Sequence, residues 1–300
     1  MEINTIGVPI FYGCDIEGVN LGPNTLRENG LLKILKKSNN IVFDLGNIYV
    51  PELLVEDKFK EHENMKYLSA IVETNRNLAH AVYASLSSNS FPFVIGGDHS
   101  LGLGSLSGAS RYFKDDLGVI WVDAHGDINT YLTTPSGNVH GMPLSAAMGL
   151  GHAVLRDLYF RGRKIDPKKV FIICARDLDQ GELDLITELN INVWTTKDIN
   201  SIGVTAFLED FNNRLSNINI NNLHLSFDID SLDSSLVPGT GTPVHDGMNI
   251  KDIKNILTGV FSTSKVRSMD FVEFNPLLDR ESVTLNNCLE ILEHVSALIK

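Results

Sequence analysis

The chain has 300 residues, of which 43% are hydrophobic and 21% are charged, and its formal net charge is −12. These values are typical of a globular protein of one or two domains, and the negative charge argues against nucleic acid as a partner. No apolar run approaches the roughly 20 residues of a membrane span, and the first residues lack a signal-peptide pattern. The three cysteines are too scattered for a disulfide framework. We therefore expect a cytoplasmic protein without a membrane or nucleic-acid partner, whose acidic surface is compatible with a cationic substrate.

Predicted strands and helices alternate along the whole chain. Strands are predicted at residues 3–8, 41–45, 91–95, 117–122, 169–174, 191–194, 223–227 and 269–273. Helices are predicted at residues 23–37, 66–86, 101–113, 142–149, 181–188, 203–215, 250–262 and 282–299. The alternation predicts an α/β fold, a three-layer α-β-α sandwich around a mostly parallel sheet of about eight strands. We expect a single domain that spans residues 1–300.

Three of the predicted strands end in clusters of Asp and His. The clusters are His99 after strand 91–95, Asp123, His125 and Asp127 after strand 117–122, and Asp228, Asp230 and Asp233 after strand 223–227. One such cluster alone could be an exposed polar turn. Three of them argue against a purely structural role, because α/β sheets bind ligands at the carboxyl ends of their strands. Carboxylates crowded at buried strand ends repel each other and lose hydration, and divalent cations would offset that cost.

The donor set points to a pair of metal ions and to hydrolysis. Two imidazoles and four carboxylates suit Mn²⁺, whereas Zn²⁺ would more often bring Cys or further His ligands. Two ions about 3.5–4 Å apart can share carboxylates and a water, and they lower the pKa of that water enough to give hydroxide near neutral pH. A phosphoesterase would use a similar pair of ions, but no Arg or Lys cluster at these strand ends could hold a phosphate. The sequence therefore predicts a hydrolase.

The residues of these motifs and the order of the motifs along the chain resemble those of the arginase–agmatinase (ureohydrolase) superfamily. The resemblance covers nearly the whole chain, from Gly7-Val-Pro9 to Glu273-Phe-Asn-Pro276. Its signatures are Gly96-Gly-Asp-His-Ser100, Asp123-Ala-His-Gly-Asp127 and Ser226-Phe-Asp-Ile-Asp-Ser-Leu-Asp233. Each signature alone is only suggestive, but the three together are highly specific.

The resemblance implies a ligand set for two Mn²⁺ per subunit. One ion would be held by His99, Asp123, Asp127 and Asp228, and the other by Asp123, His125, Asp228 and Asp230. Asp123 and Asp228 would therefore bridge the ions, and Asp233 would be structural. Oligomers are usual in this superfamily, so a homotrimer or a homohexamer is expected.

The loop at residues 129–140 resembles the arginase version of this segment, which implies L-arginine as the substrate. The implied reaction is cleavage of the guanidinium group by a metal-bridging hydroxide, to give L-ornithine and urea. Catalysis is assigned to His140 as a proton shuttle, to Asp127 and to Glu273. The implied substrate contacts are Asn129, Ser136 and Asn138 for the α-carboxylate, Asp179 supported by Glu182 for the α-amine, and Thr242 and Glu273 near the guanidinium.

Several alternatives remain at this stage. Agmatinase or formimidoylglutamase would use the same metal site with a different substrate clamp, and a catalytically silent scaffold would keep the fold alone. Asn138 either contacts the substrate or only holds the loop turn. The sequence departs from the superfamily pattern at Ser234, at His245-Asp246-Gly247 and at Cys14-Asp15, and these departures put loop conformation in question rather than the reaction.

Overall fold

Eight strands form the centre of the structure, a computed structural model that describes residues 1–300. The strands are β1 (Glu2–Val8), β2 (Ile41–Asn47), β3 (Phe91–Gly96), β4 (Leu117–Val122), β5 (Val170–Ala175), β6 (Asn192–Thr195), β7 (Asn222–Asp228) and β8 (Val266–Val272). They form one sheet in the order β2-β1-β3-β8-β7-β4-β5-β6, and every neighbouring pair is parallel. The carboxyl ends of all eight strands therefore lie at the same edge of the sheet.

The helices cover both faces of the sheet. They are α1 (Gly22–Glu28), α2 (Leu31–Lys36), α3 (Leu68–Ser87), α4 (Gly102–Phe113), α5 (Pro143–Ala147), α6 (Ala153–Arg156), α7 (Gln180–Leu189), α8 (Thr196–Ile202), α9 (Val204–Ser216), α10 (Ile250–Ser262) and α11 (Val283–Leu298). None of them combines the length and the apolar character that crossing a membrane requires.

Two separate apolar clusters fill the space between the sheet and the helices. One cluster holds buried side chains of α1, α2 and α8 to α11, including Leu26 and Phe207. The other holds buried side chains of α3 to α6, including Leu78 and Leu106, and Leu185 of α7 packs against it. The three-layer α-β-α architecture expected from the sequence is therefore confirmed.

The position of a strand in the sheet explains its sequence pattern. Every residue of β3, β4 and β5 is buried, so these strands are continuous apolar runs. Strand β2 lies at the edge of the sheet, and its side chains Ile41, Phe43 and Leu45 are all exposed. The polar clusters that follow β3 and β4 consequently begin where a buried strand reaches the edge of the sheet.

The structure differs from the helix predictions in three places, one of which is the short helix α6, which was not expected. The helix expected at residues 23–37 is divided into α1 and α2. Gly30 lies between them with a left-handed φ of 99°, which interrupts the helical backbone. Helix α8 was not expected, although Thr195 and Asp198 form a capping box in which each side chain accepts a hydrogen bond from the backbone of the other. That signal was present in the sequence and identifies the start of a helix.

Candidate metal centre and substrate cleft

The predicted ligands come together at the carboxyl ends of adjacent strands. Strands β3, β8, β7 and β4 are consecutive neighbours in the sheet. His99 lies in the turn after β3, Asp228 ends β7, and Asp230 lies in the turn that follows. Asp123 follows β4 directly. Residues far apart in the chain therefore meet because their strands are parallel and adjacent.

His99 lies at the centre of one carboxylate cluster. Its Nδ1 atom is 2.8 Å from Asp123 Oδ2 and 3.1 Å from both Asp127 Oδ2 and Asp228 Oδ2. Nδ1 is buried and forms no hydrogen bond with any of them. Burial lowers the pKa of His99, but the three carboxylates outweigh burial and raise this pKa well above its usual value. The cluster thus favours a cation at Nδ1, which a metal ion or a proton can supply.

The other ring nitrogen of His99, Nε2, is held by a hydrogen-bonded chain on the side of the ring away from the carboxylates. Nε2 lies 2.8 Å from Ser226 Oγ, and this hydroxyl donates to Asp270 Oδ2 at 3.3 Å. Because the Ser226 proton goes to Asp270, Ser226 accepts from the Nε2–H of His99, and the lone pair of Nδ1 faces the carboxylates. A metal-binding imidazole is commonly oriented in this way by the partner of its second nitrogen.

His125 forms a second cluster with two acidic residues. Its Nδ1 atom is 3.1 Å from Asp230 Oδ2 and 3.3 Å from Asp123 Oδ1. Asp123 thus has one oxygen in each cluster, as a bridging ligand requires. Asp228, the other predicted bridge, has Oδ2 in the His99 cluster, and its Oδ1 accepts the backbone N–H of Asp230 at 2.8 Å.

Crowding shifts the acidic side chains away from their usual pKa values. Burial and the charge of Asp123 raise the pKa of Asp127 to about 6. Burial, Asp230 and Asp123 raise the pKa of Asp228 well above its usual value. A cation between these carboxylates would relieve the repulsion, and the mixed imidazole and carboxylate donors fit two divalent ions.

Three non-glycine residues at the same edge of the sheet have a left-handed backbone conformation. Asp127, Cys174 and Glu273 follow or end strands β4, β5 and β8, and their φ angles are 53°, 78° and 68°. Such left-handed conformations cost on the order of 1–3 kcal/mol for residues other than glycine. The rest of the fold holds this strain at the edge that carries the clusters, as is common in functional sites.

Glu273 lies behind His140 rather than on the wall of the cleft. Its Oε1 atom accepts the backbone N–H of His99 at 2.8 Å and lies 3.1 Å from His140 Nδ1. Its Oε2 atom is buried and has no partner. Burial lowers the pKa of His140, but its hydrogen bond to Glu273 outweighs burial and raises that pKa. Glu273 therefore fixes the orientation of the His140 ring.

A cleft without hydrophobic lining residues opens beside the two clusters. Its walls come from the β4 exit, the loop after it, the segment after β5 and the loop before α10. The lining residues are His125, Asp127, Asn129, Thr134, Pro135, Ser136, Asn138, His140, Gly141, Asp177, Asp179, Glu182 and Thr242. All the predicted substrate-binding residues except Glu273 belong to this wall.

The cleft wall is cross-linked by its own hydrogen bonds. Asn129 Nδ2 donates to Asp179 Oδ2 at 2.7 Å. Glu182 is almost fully buried and accepts backbone N–H bonds from Asp179 and Ile128. Burial raises the pKa of Glu182 to about 7. Thr242 Oγ1 donates to the predicted metal ligand Asp230 at 3.2 Å. Glu182 thus holds the backbone of Asp179 from the side away from the cleft.

The contacts of Arg176 could not be predicted from the sequence. Its guanidinium donates to six backbone carbonyls, those of Cys174, Asp230, Ser231, Leu232, Val244 and His245. These carbonyls belong to three segments, which are the end of β5, the turn of Asp230 and the loop that carries Thr242. Arg176 therefore joins one wall of the cleft to a predicted metal ligand, and no local motif distinguishes it from an ordinary surface arginine.

Comparison with known proteins gives consistent matches over the full length of the chain. The arginase family profile matches residues 1–297. The arginase of Brevibacillus brevis is 39% identical over 294 residues, which are 98% of this chain and 97% of the relative. The crystal structure of arginase from Bacillus subtilis has 38% identity and a TM-score of 0.90, covering 99% of this chain and 98% of that one. An Entamoeba histolytica arginase in complex with L-ornithine has 31% identity and a TM-score of 0.88, covering 98% and 97%.

Proposed function

The chain belongs to the arginase family, and we propose that it hydrolyses L-arginine to L-ornithine and urea with two Mn²⁺ per subunit. Hydrolysis of arginine follows from full-length relatives that are themselves arginases, at 39% and 38% identity. One structural observation on this chain supports the proposed function. The two His–Asp clusters open directly into a cleft whose other wall offers neutral amide and hydroxyl groups together with Asp179. Such a wall suits the carboxylate and the amine of an amino acid.

The residues present fit a pair of divalent ions. His99, Asp123, Asp127 and Asp228 would hold one ion, and Asp123, His125, Asp228 and Asp230 would hold the other. The buried, unbonded Nδ1 of His99 supports this assignment. The mixture of two imidazoles with four carboxylates favours Mn²⁺ over Zn²⁺. When bound, the ions supply Lewis-acid chemistry that makes water nucleophilic near neutral pH.

The side chains around the metal centre move and hold protons. His140 donates its Nδ1–H to Glu273, which leaves Nε2 free to exchange a proton with the cleft. Asp127 lines the cleft and can accept a proton on the carboxylate oxygen that does not face His99. Glu273 would act on the substrate through His140, because Glu273 does not line the cleft and its unpartnered Oε2 atom is buried.

The opposite wall of the cleft orients the substrate. Asn129, Ser136 and Asn138 would donate to the α-carboxylate, and Asp179 would accept from the α-amine. Because Asn129 already donates to Asp179, these two halves of the clamp hold each other in place. Such positioning places the reacting carbon at the metal centre and removes the entropy cost of finding it there.

The assignment is tested by a urea assay with Mn²⁺ on L-arginine and on agmatine in parallel. Hydrogen bonds to charged groups contribute about 1.5–3 kcal/mol each, so kcat/KM should differ between the substrates by several powers of ten. Equal values for the two substrates would contradict the arginine assignment and leave a hydrolase of related amidines.

We also propose a homotrimer or homohexamer of single-domain subunits in the cytoplasm. The three cysteines are buried and unpaired, as expected in a reducing compartment. Light scattering on the purified protein tests the oligomeric state, and fractionation of cells tests the location.

A further inference from the structure

The charge of the cleft poses a problem for an amino-acid substrate. Asp127, Asp177, Asp179 and Glu182 line the cleft, whereas no Lys or Arg does so. Two divalent ions would offset the charge of Asp127, but Asp177 and Asp179 belong to neither metal cluster, so they attract the α-amine and repel the α-carboxylate. A positive group close to the carboxylate-binding wall would reduce this repulsion.

A cluster of three charged residues, Lys58, Lys66 and Asp15, lies behind that wall. Lys58 Nζ and Lys66 Nζ lie 2.9 Å and 3.0 Å from the same oxygen, Asp15 Oδ2. Partial burial raises the pKa of Asp15, but its hydrogen bonds from the two lysines outweigh burial and lower that pKa. Two ammonium groups on one carboxylate leave the cluster with one net positive charge. Asp15 belongs to the Cys14-Asp15 turn, one of the three places where the sequence departs from the superfamily pattern.

Lys66 also fixes the orientation of Asn138. Lys66 Nζ donates to Asn138 Oδ1 at 2.7 Å, and Asn138 Nδ2 donates to the carbonyl of Cys14 at 3.1 Å. An ammonium can only donate and a carbonyl can only accept, so the amide has a single possible orientation. The backbone N–H of Lys66 additionally donates to the carbonyl of Gly137 at 2.9 Å. One N–H of Asn138 therefore remains for a ligand in the cleft.

We propose that Lys66 is a positioning residue that makes the cleft selective for substrates with an α-carboxylate. It acts through Asn138, because Lys66 itself does not line the cleft. A cation at Oδ1 polarises the amide and strengthens the free N–H as a donor. The net charge of the cluster also offsets part of the acidic field of the cleft. The inference rests on the proposed function, since it assumes that the α-carboxylate binds at Asn138.

The test compares Lys66→Met with Lys60→Met on L-arginine and agmatine. Lys60 is a matched control, because its ammonium is largely exposed and pairs with Asp57 outside the cleft. Lys66→Met should raise KM for arginine about tenfold with kcat within about twofold, which corresponds to one hydrogen bond to a charged group. KM for agmatine should not change, because agmatine has no carboxylate. Lys60→Met should behave as the unmodified enzyme, and Lys66→Arg should restore part of the affinity for arginine.

A double-mutant cycle with Asn138→Ala separates positioning from a general structural role. If Lys66 acts mainly through Asn138, Lys66→Met should raise KM for arginine by no more than about twofold once Asn138 is alanine, which is the share expected from the net charge alone. Additive effects, or equal losses on both substrates, would overturn the proposal. Elemental analysis should find the same Mn²⁺ content in all variants, and a loss of metal in Lys66→Met would likewise count against it.

Lys58→Met gives a test that keeps the Lys66–Asn138 bond. It removes the net charge of the cluster, so KM for arginine should rise by about twofold at low salt and return to normal at high salt. If Lys58→Met left KM for arginine unchanged at low salt, the net charge of the cluster would not contribute to arginine binding. If the unmodified enzyme released no urea from arginine, the proposed function would fail, which is distinct from a failure of these variants.

Discussion

The two ends of the cleft are built in different ways. The metal end, formed by His99, Asp123 and their neighbours, consists of side chains at the ends of buried, adjacent strands. The carboxylate end, formed by Asn129, Ser136 and Asn138, lies on one loop and is held by contacts from other loops. A strand end is fixed by the whole sheet, whereas a loop is fixed by a few polar contacts. Changes at the metal end should therefore abolish function, and changes at the carboxylate end should alter substrate preference.

The largest effect is expected at Asp123. It contributes one oxygen to each cluster, so Asp123→Ala removes a ligand from both ions at once. Metal affinity should fall by more than the ~10–100-fold typical of groups that only support ligands, and activity should fall with it. Asp230→Ala should lose less metal, because Asp230 belongs to one cluster. If purified Asp123→Ala kept two Mn²⁺ per chain by elemental analysis, Asp123 would not be a bridging ligand.

His140 lies between the two ends and should affect rate without affecting metal. His140→Asn should retain both ions and lower kcat by about 10²-fold, the lower limit for a positioned acid–base group in an open cleft. Added imidazole should restore part of the rate. Loss of Mn²⁺ from this variant would instead make His140 a ligand and would move it to the metal end.

Asp179 lies next to the carboxylate end, where it holds Asn129 and is proposed to bind the α-amine. Asp179→Asn should raise KM for arginine about 10–100-fold, because the charged carboxylate that strengthens the hydrogen bond to the amine is lost. Mn²⁺ content should stay the same, since Asp179 lies in neither metal cluster. Asp184→Asn is the matched control, because it makes the same change on the exposed face of α7. A fall in kcat without a rise in KM would place Asp179 in the chemical step rather than in binding.

The smallest effect is expected at Asp246, which lies in a loop outside both ends of the cleft and should affect only stability. This exposed residue has a left-handed φ of 59°, a conformation that glycine adopts without strain. Asp246→Gly should therefore raise the free energy of unfolding by about 0.5 kcal/mol and Tm by about 1 °C. Asp246→Ala should lower Tm instead, as calorimetry can show. Kinetic constants that changed in Asp246→Gly would extend the functional region into this loop.

The metal end could be predicted from the sequence because each of its residues lies close in the chain to the end of a recognisable strand. His99, Asp123 and Asp228 each lie within three residues of the end of an apolar strand, and a parallel sheet brings such ends together. The carboxylate end depends on distant pairs. Asn138 bonds to Lys66 and to Cys14, which are 72 and 124 residues away along the chain. No periodicity or motif encodes those contacts, so the role of Lys66 emerges only once the chain is folded.

Contacts between residues that are distant in the chain also explain the smaller differences between the predictions and the structure. Arg176 is surrounded by carbonyls that lie up to 69 residues away, and in the sequence it is one charged residue in a polar run. Glu273 was placed beside the guanidinium by its motif, but its hydrogen bonds orient His140 and the backbone of His99. A motif identifies the residue, whereas its partners depend on how the loops pack.

Trp121 should make metal binding visible in the fluorescence of the unmodified chain. Its indole ring stacks on His99 at 4.1 Å between ring centroids, and its Nε1 atom donates to Asp123 at 3.1 Å. The chain has one other tryptophan, Trp194, which packs against Phe207 and Arg214 on the opposite face of the sheet. Titration with Mn²⁺ should therefore quench the emission of Trp121 and leave that of Trp194 unchanged. Trp121→Phe provides the blank, and the titration yields metal affinity without a catalytic assay.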